Sequence, residues 1–219
     1  MPATKRQLPV WQESILLVVV AMVMAVVVKT FFVQAFYIPS GSMEPTMVED
    51  DKIVVQKVSG WGGGPGRGDI VVFRDPGGWL DESESRSPSN VVQKGLEQVG
   101  LFPSGGHLIK RVIGVGGDHV VCCSKGKLTV NGIEIEEPYL ADATSTEETP
   151  FDVKVPEGRL WVMGDNRGNS SASPQHMGDP GGGFIKESSV VGEAWLRLWP
   201  IGRAGFVDGT SAFDDVPGH

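Results

Sequence analysis

Residues 38–47 read Ile-Pro-Ser-Gly-Ser-Met-Glu-Pro-Thr-Met, and they separate a long apolar run from a glycine-rich remainder. Pro39 and Pro45 fix the backbone on either side of this segment and disfavour a helix. Gly41 allows a sharp bend or the close approach of another part of the chain. The segment could therefore present a hydroxyl group at a defined place beside an apolar surface, or it could be a polar linker that leaves a membrane anchor. These residues alone leave both interpretations open.

The apolar run before this segment covers residues 15–28 and resumes after Lys29 and its neighbour. As a helix, residues 15–36 would be about 33 Å long, which matches the hydrocarbon core of a bilayer at roughly 30 Å. Lys29 can extend toward an interface. A cleaved secretory signal would need a small-x-small site, which residues 34–37 do not provide, and a buried helix of a soluble domain would be amphipathic. We therefore predict one uncleaved transmembrane anchor over residues 15–36.

The charges around this anchor predict its orientation. Lys5 and Arg6 precede the run, which favours a cytoplasmic location for residues 1–14. Residues 37–200 would then form a domain outside the cell membrane. The remaining residues, 201–219, are predicted to be a flexible tail that frays from about Gly209, because they are small, polar and acidic there.

The composition of the body favours strands over helices, since 30 glycines and 15 prolines imply many turns. Asn131-Gly132 is typical of a type I′ hairpin turn. The predicted strands cover residues 51–58, 69–74, 108–115, 119–123, 127–130, 133–135, 159–163 and 190–198. We therefore predict a mainly β protein, with an antiparallel sheet or barrel-like domain after one transmembrane helix. Residues 77–106 are interpreted as an insertion, with a helix over 90–101.

Charge and histidine spacing exclude two classes of partner. The formal net charge is −8 and no block of basic residues interrupts it, so nucleic-acid binding is not expected. Acidic clusters at residues 81–84 and 134–137 are expected to be solvated loops or turns. The four histidines show no metal-ligand spacing, so no metal site is predicted.

The two cysteines and the tryptophans each allow two interpretations. Cys122 and Cys123 are adjacent, which permits either a vicinal disulfide or two free thiols, and neighbours on a strand point to opposite faces. Four tryptophans could pack in a core or lie at a membrane interface, where indole is favoured: Trp61, Trp79, Trp195 and Trp199.

A serine needs a base before it can attack a carbonyl group, and no histidine here lies in a recognisable catalytic motif. The other candidate base is a lysine made neutral by burial. Lys110 lies within the apolar strand of residues 108–113, where desolvation would disfavour its charged form. Periodicity alone is equally consistent with an exposed Lys110 on an alternating strand.

Four ordered segments resolve this ambiguity by resemblance. They read Pro39-Ser-Gly-Ser-Met-Glu-Pro-Thr46, Arg67-Gly-Asp-Ile-Val-Val-Phe73, Ile109-Lys-Arg-Val-Ile-Gly-Val-Gly-Gly-Asp118 and Gly164-Asp-Asn-Arg-Gly-Asn-Ser170. Together they resemble the bacterial type I signal peptidases, membrane-anchored serine–lysine enzymes that remove signal peptides from exported proteins. The resemblance covers the anchor and the body, but not the insertion of residues 77–106 or the tail.

The resemblance implies a role for each matching residue. Ser42 would be the nucleophile, and Lys110 would be the general base and later the acid toward the leaving amine. The Ser42 backbone N–H and the Ser40 hydroxyl would form an oxyanion hole, and Ser170 would orient the Lys110 amine. Residues implied to line shallow pockets that select Ala-x-Ala sequences are Ile38, Met43, Met47 and Ile109. Residues implied to be structural, through charge-assisted hydrogen bonds, are Asp165, Arg167 and Arg111.

The chain departs from the family pattern after Ser170. Ala172 and Pro174 stand where the family commonly has aspartate and arginine, so the ion pair that these two usually supply is missing. Gly116 stands where proline is common.

The expected protein is a single-pass membrane endopeptidase that acts on signal peptides of exported preproteins, without a metal or cofactor. Self-cleaving repressors use the same dyad, but they need a DNA-binding helical module and no anchor. The alternative from another class is a catalytically silent anchored protein that binds export substrates.

Overall fold

The computed structural model describes residues 9–57, 63–80, 106–124, 127–140, 142, 149–207 and 209–218. The chain order of the helix and strands is α1 (Val10–Phe31), β1 (Val33–Tyr37), β2 (Lys52–Gln56), β3 (Ile70–Arg74), β4 (His107–Gly114), β5 (His119–Ser124), β6 (Lys127–Val130), β7 (Ile133–Glu134), β8 (Phe151–Lys154), β9 (Arg159–Met163), β10 (Ile185–Lys186), β11 (Val190–Trp199) and β12 (Gly205–Phe206).

The strands form two antiparallel sheets. The larger sheet has the order β1-β2-β11-β3-β4-β9-β10, with β12 paired to β11, and the smaller has the order β7-β6-β5-β8. The predicted fold class, mainly antiparallel β with one N-terminal apolar helix, is confirmed. Each predicted strand has its counterpart within a few residues, whereas β1, β8, β10 and β12 were not predicted as strands.

The helix lies five residues earlier than predicted. It spans 22 residues and ends at Phe31, and residues 33–37 form a strand instead of its last turn. Val33 pairs with Gln56 and Tyr37 pairs with Lys52. Aromatic and β-branched residues suit a strand when an apolar partner strand is available, and β2 supplies one. The apolar part of α1 is long enough to cross a bilayer, and none of it is buried in the protein.

Strand β4 is an interior strand of the larger sheet, between β3 and β9. Every residue from Leu108 to Gly114 is buried, so the strand has no solvent-facing side. One core cluster, around Ile109, lies under the segment of residues 38–47. A second cluster packs around Leu108 and Val112. Lys110 is therefore not the exposed residue of an alternating strand.

The predicted tail is packed between residues 209 and 218 instead of being frayed. Phe213 and Val216 are buried in the core cluster that includes Ile113. Arg67 donates hydrogen bonds to the carbonyls of Val216 and Pro217, at 3.3 and 3.2 Å. These two apolar side chains and the two hydrogen bonds hold a segment whose other residues are mostly small and polar.

Other predictions have mixed outcomes. The sulfurs of Cys122 and Cys123 are joined to each other, so the structure adopts the vicinal disulfide and not the two free thiols. Trp79 is buried, whereas Trp195 and Trp199 are about half exposed. Trp61 and the predicted helix of residues 90–101 lie outside the described residues.

Candidate active site

Ser42 occupies the middle of a single 3₁₀ turn, Gly41–Met43, whose three residues are all buried. The turn is separated from the end of β1 by three residues and is closed by a hydrogen bond from the Glu44 N–H to the Gly41 carbonyl at 3.1 Å. The two prolines that flank it cannot extend a helix. Of the two interpretations that the sequence left open for this segment, the structure has the serine at a fixed place.

Lys110 extends from β4 to this turn. Its Nζ donates a hydrogen bond of 2.8 Å to Ser42 Oγ. Lys110 is 3% exposed and Ser42 is 6% exposed. The two predicted catalytic residues, 68 positions apart in the chain, are therefore in direct contact and shielded from water.

Both residues line a cavity of about 870 Å³. Ser40, Ile109 and Ser170 line the same cavity. The Ser40 hydroxyl lies 3.4 Å from Ser42 Oγ, at the long end of hydrogen-bond distances. Residues from three separate segments of the sequence, around Ser42, Lys110 and Ser170, thus line one cavity.

Ser170 is packed against the nucleophile segment without a hydrogen bond. Its Oγ is buried and has no hydrogen-bond partner in the described part of the chain, so the expected bond to Lys110 is not formed in this arrangement. A Cβ atom at Gly164 would lie 2.3 Å from Ser170 Oγ and 2.4 Å from the Ser42 carbonyl oxygen. Only glycine at position 164 leaves room for both of these oxygen atoms.

Asn166 ties the segment after β9 to the nucleophile turn. Its backbone N–H donates to the Ser42 carbonyl at 3.1 Å, and its side-chain amide donates to the Gly41 carbonyl at 3.1 Å. The sequence interpretation included Asn166 in a motif but gave it no role. A role was hard to assign because both of its acceptors are backbone atoms.

Arg111 and Asp165 form a buried ion pair beside the dyad. Arg111 Nε and Nη2 donate to the two carboxylate oxygens of Asp165 at 2.8 and 2.6 Å. Thr46 Oγ1 donates to the same carboxylate at 2.5 Å, and Arg111 Nη1 donates to the Gly68 carbonyl at 2.7 Å. The pair therefore joins β4, the Asn166 segment and the nucleophile segment.

Arg167 forms a buried ion pair with Glu137. Its Nη2 is in contact with a Glu137 carboxylate oxygen, and the side chains of both residues are buried. Arg167 Nε also donates to the Gly164 carbonyl at 2.9 Å. The sequence interpretation of residues 134–137 as solvated is wrong for Glu137, because a buried arginine requires its charge.

Tyr139 completes this buried network. Its hydroxyl donates to Glu137 at 2.8 Å, and its ring lies 4.1 Å from the Arg111 guanidinium carbon. Burial, reinforced by the charge of Glu137, raises the pKa of Tyr139 well above its ordinary value. The phenol therefore stays protonated and remains a hydrogen-bond donor.

The residues implied to form substrate pockets do not all reach the cavity. Ile109 lines it, whereas Ile38, Met43 and Met47 are buried in the core cluster that contains Ile109. In this arrangement the three residues support the nucleophile segment from below. Their role as pocket walls stays a prediction.

Residues from the end of the larger sheet hold the segment after Ser42. Arg197 donates to the Thr46 carbonyl at 2.8 Å, and Arg203 donates to the Pro45 carbonyl at 3.3 Å. Both guanidinium groups also lie within 4 Å of the buried Asp51 carboxylate, at 3.7 and 3.4 Å. The sequence gave no sign of these contacts, because they join positions about 150 residues apart.

The fold and the site together define a class of protein: an antiparallel β domain that follows one apolar helix and carries a buried serine–lysine pair at a cavity. A family model described as "Signal peptidase, peptidase S26" matches residues 11–199. The chain belongs to this family and is a serine peptidase.

Named relatives agree with this family. The chain is 40% identical to a signal peptidase I of Mycobacterium tuberculosis over 220 residues, which cover 90% of this chain and 75% of the relative. It is 37% identical to a probable signal peptidase I of Mycobacterium leprae, with 93% and 81% of the two chains covered. A solved signal peptidase I from Enterococcus faecalis matches at 28% identity and a TM-score of 0.38, over 59% of this chain and 95% of that one.

Proposed function

We propose that this chain removes N-terminal signal peptides from exported preproteins, at Ala-x-Ala-like sites, through a covalent acyl-enzyme. The observation that carries this proposal is the 2.8 Å contact between the Lys110 amine and the Ser42 hydroxyl. Serine nucleophiles need an adjacent base, and Lys110 is the amine in hydrogen-bond contact with this one.

Burial supports the role of Lys110 as a base. An ammonium group loses hydration when it is buried, which disfavours the charged form. A neutral amine accepts the proton of Ser42 while Ser42 Oγ attacks the scissile carbonyl carbon. The resulting ammonium then donates this proton to the leaving amine, which departs as the new N-terminus of the mature protein. An ester between Ser42 and the signal peptide remains.

The second half of the reaction uses the same groups. Lys110, neutral again, takes a proton from water, which attacks the ester carbonyl, and Lys110 returns the proton to Ser42 Oγ. In both halves the Ser42 backbone N–H and the Ser40 hydroxyl would stabilise the negative oxygen of the tetrahedral intermediate. Rotation of the Ser40 hydroxyl toward this oxygen is compatible with its long contact to Ser42 in the free protein.

Helix α1 supports a membrane location for this reaction. Its unburied apolar residues lead through one short strand to the nucleophile turn. An anchor at this point would hold Ser42 close to the surface where signal peptides leave the bilayer. We propose that α1 spans the cell membrane, with residues 1–14 in the cytoplasm and the β domain outside.

The deciding experiment incubates the full chain in liposomes with a preprotein that carries an Ala-x-Ala site. Ser42→Ala should abolish cleavage, and Lys110→Met should lower its rate by about 10²–10⁴-fold or more. Matched controls at exposed positions, Ser211→Ala and Lys154→Ala, should cleave like the parent. Equal cleavage by the parent and by the Ser42 and Lys110 variants would refute the proposal, and no cleavage by the parent would favour a silent binding protein.

The pH dependence tests the base separately. Only the neutral amine accepts a proton, so the rate should rise with pH, with a midpoint below about 10.4, the value for a free lysine. A flat profile from about pH 6 to about 10 would contradict a lysine base.

A further inference from the structure

Residues 171–174 lack the ion pair that the family resemblance implies at this place. Ala172 and Pro174 are both buried and replace the aspartate and arginine that commonly form an ion pair there. This segment directly follows Ser170, whose Oγ is packed against the nucleophile turn. The Ser173 end of the segment is fixed by a hydrogen bond from the Val162 backbone N–H to Ser173 Oγ at 2.9 Å, which leaves Ser171, next to Ser170, to be fixed by another residue.

His176 makes hydrogen bonds through both ring nitrogens. Its Nε2 lies 2.8 Å from Ser171 Oγ, and its Nδ1 lies 2.7 Å from Asp179 Oδ2. Two hydrogen bonds on opposite edges of the ring fix its orientation. The hydrogen bond between His176 and Ser171 therefore connects Ser171 to the last residue of the short 3₁₀ helix Ser173–His176.

One face of the His176 ring packs against the indole ring of Trp79. The two rings are stacked with centroids 4.4 Å apart and an interplanar angle of 6°. Trp79 is 5% exposed, and its backbone N–H donates to Asp75 Oδ1 at 3.1 Å. The same carboxylate accepts hydrogen bonds from the backbone N–H groups of Gly77 and Gly78. Trp79 is therefore a rigid platform at the end of β3.

This support lies at the same cavity as the dyad. The cavity wall includes Ser42, Lys110, Ser170, Ser171, Trp79 and His176. A displacement of Ser171 would move its neighbour Ser170, whose Oγ lies beside Gly164, as does the Ser42 carbonyl oxygen. The position of the nucleophile is thus coupled through direct contacts to the position of His176.

We propose that His176, stacked on Trp79 and bonded to Ser171 and Asp179, is a positioning residue that holds Ser170 against the Ser42–Lys110 dyad. The inference rests on the proposed peptidase reaction, but it concerns only how the site is held. Chemistry that depends on sub-ångström placement loses up to about a hundredfold in rate when a support is removed.

The test compares two replacements of His176 in the full chain in liposomes. His176→Phe keeps an aromatic ring against Trp79 and removes both hydrogen bonds; kcat should fall about ten- to a hundredfold with KM unchanged. His176→Gln can still reach Ser171 and should recover most of this loss. His119→Phe is a matched control. His119 is an exposed histidine on β5 that pairs with Asp152 at 2.6 Å, and its replacement should retain the parent kcat.

Three outcomes separate the alternatives. A parent chain that does not cleave defeats the proposed function and, with it, the basis of this inference. A parent that cleaves, with a His176→Phe variant of equal kcat, overturns the positioning role alone. If thermal unfolding shows that His176→Phe is not folded, Ser171→Ala is tested in its place. This change removes only one hydroxyl, at an exposed residue. A parent-like kcat for Ser171→Ala would also overturn the role.

Discussion

Arg111 and Asp165 meet through two parallel hydrogen bonds of 2.8 and 2.6 Å, although 54 positions separate them in the chain. Arg111 directly follows Lys110 on β4, and Asp165 directly precedes Asn166, which bonds to the carbonyls of Gly41 and Ser42. The ion pair therefore sets the distance between the strand that carries the base and the segment that holds the nucleophile turn.

Removing one partner of this pair should destabilise the whole domain. Arg111→Met or Asp165→Leu would leave an uncompensated buried charge, which costs about 3–5 kcal/mol. The double variant should be less destabilised than the sum of the two single changes, because it leaves no lone charge. Urea unfolding of the detergent-solubilised chain measures each value. Lys127→Met, which breaks the exposed contact with Glu134, is the control and should leave the midpoint almost unchanged; strictly additive effects of the two single changes would contradict this view.

Gly164→Ala should reduce activity because the added methyl group would clash with its neighbours. The added methyl carbon would lie 2.3 Å from Ser170 Oγ and 2.4 Å from the Ser42 carbonyl oxygen, so one of these serines must move. We expect cleavage to fall by about a hundredfold or more. Gly178→Ala is the matched control, since a Cβ there meets nothing within 4 Å. Cleavage of the Gly164→Ala variant at the parent rate would show that the packing around Ser42 is looser than described.

The three serines and the lysine of the candidate site could be proposed from the sequence because their neighbours form a recognisable pattern. The strand around Lys110 could be found from its apolar composition. Its burial on both faces could not, since that depends on β3 and β9, which are distant in the chain. For Val33–Tyr37 the sequence was misleading, because apolar residues that continue a helix equally suit a strand and pairing with β2 decides between them.

Residues that act through tertiary contacts left no local signal. Glu137 lies in an acidic cluster that resembles a solvated turn, and only the position of Arg167 shows that it is buried. The Trp79–His176 stack joins residues from two segments that the sequence gave no reason to bring together. In each case the missing information was the identity of a distant partner.

The stability of the domain should decrease above about pH 10, partly because of Tyr139. Burial raises the pKa of Tyr139, so the folded protein keeps the phenolic proton where the unfolded chain releases it, near pH 10. The folded state then binds more protons than the unfolded state, and stability falls as the pH rises, by up to about 1.4 kcal/mol per pH unit. Tyr139→Phe lacks this proton and should show a shallower decrease between about pH 9 and about pH 11 in urea unfolding. Equal slopes for the parent and the variant would contradict a raised pKa.

An exposed apolar patch on β11 and the residues after it should contact lipid. Its members are Trp195, Leu198, Trp199, Ile201 and Phe206, with exposed fractions of 43% to 75%. Trp195 and Phe206 contact each other, with ring centroids 5.4 Å apart, and indole rings favour the membrane interface. The patch lies on the sheet whose edge strand β1 continues from α1, so a membrane partner is consistent with the proposed anchor.

Replacing Trp195 and Trp199 by serine should therefore reduce the quenching of tryptophan fluorescence by brominated lipids in liposomes that carry the full chain. It should also slow the cleavage of a membrane-inserted preprotein by about tenfold, since loss of about 1.4 kcal/mol of interfacial binding corresponds to that factor. Cleavage of a short soluble peptide with the same site should change little, because the dyad is untouched. Ile133→Ser, at an exposed position on β7 in the smaller sheet, is the control. Equal quenching by the parent and the double variant would mean that the patch faces water, and the lipid contact would then be limited to α1.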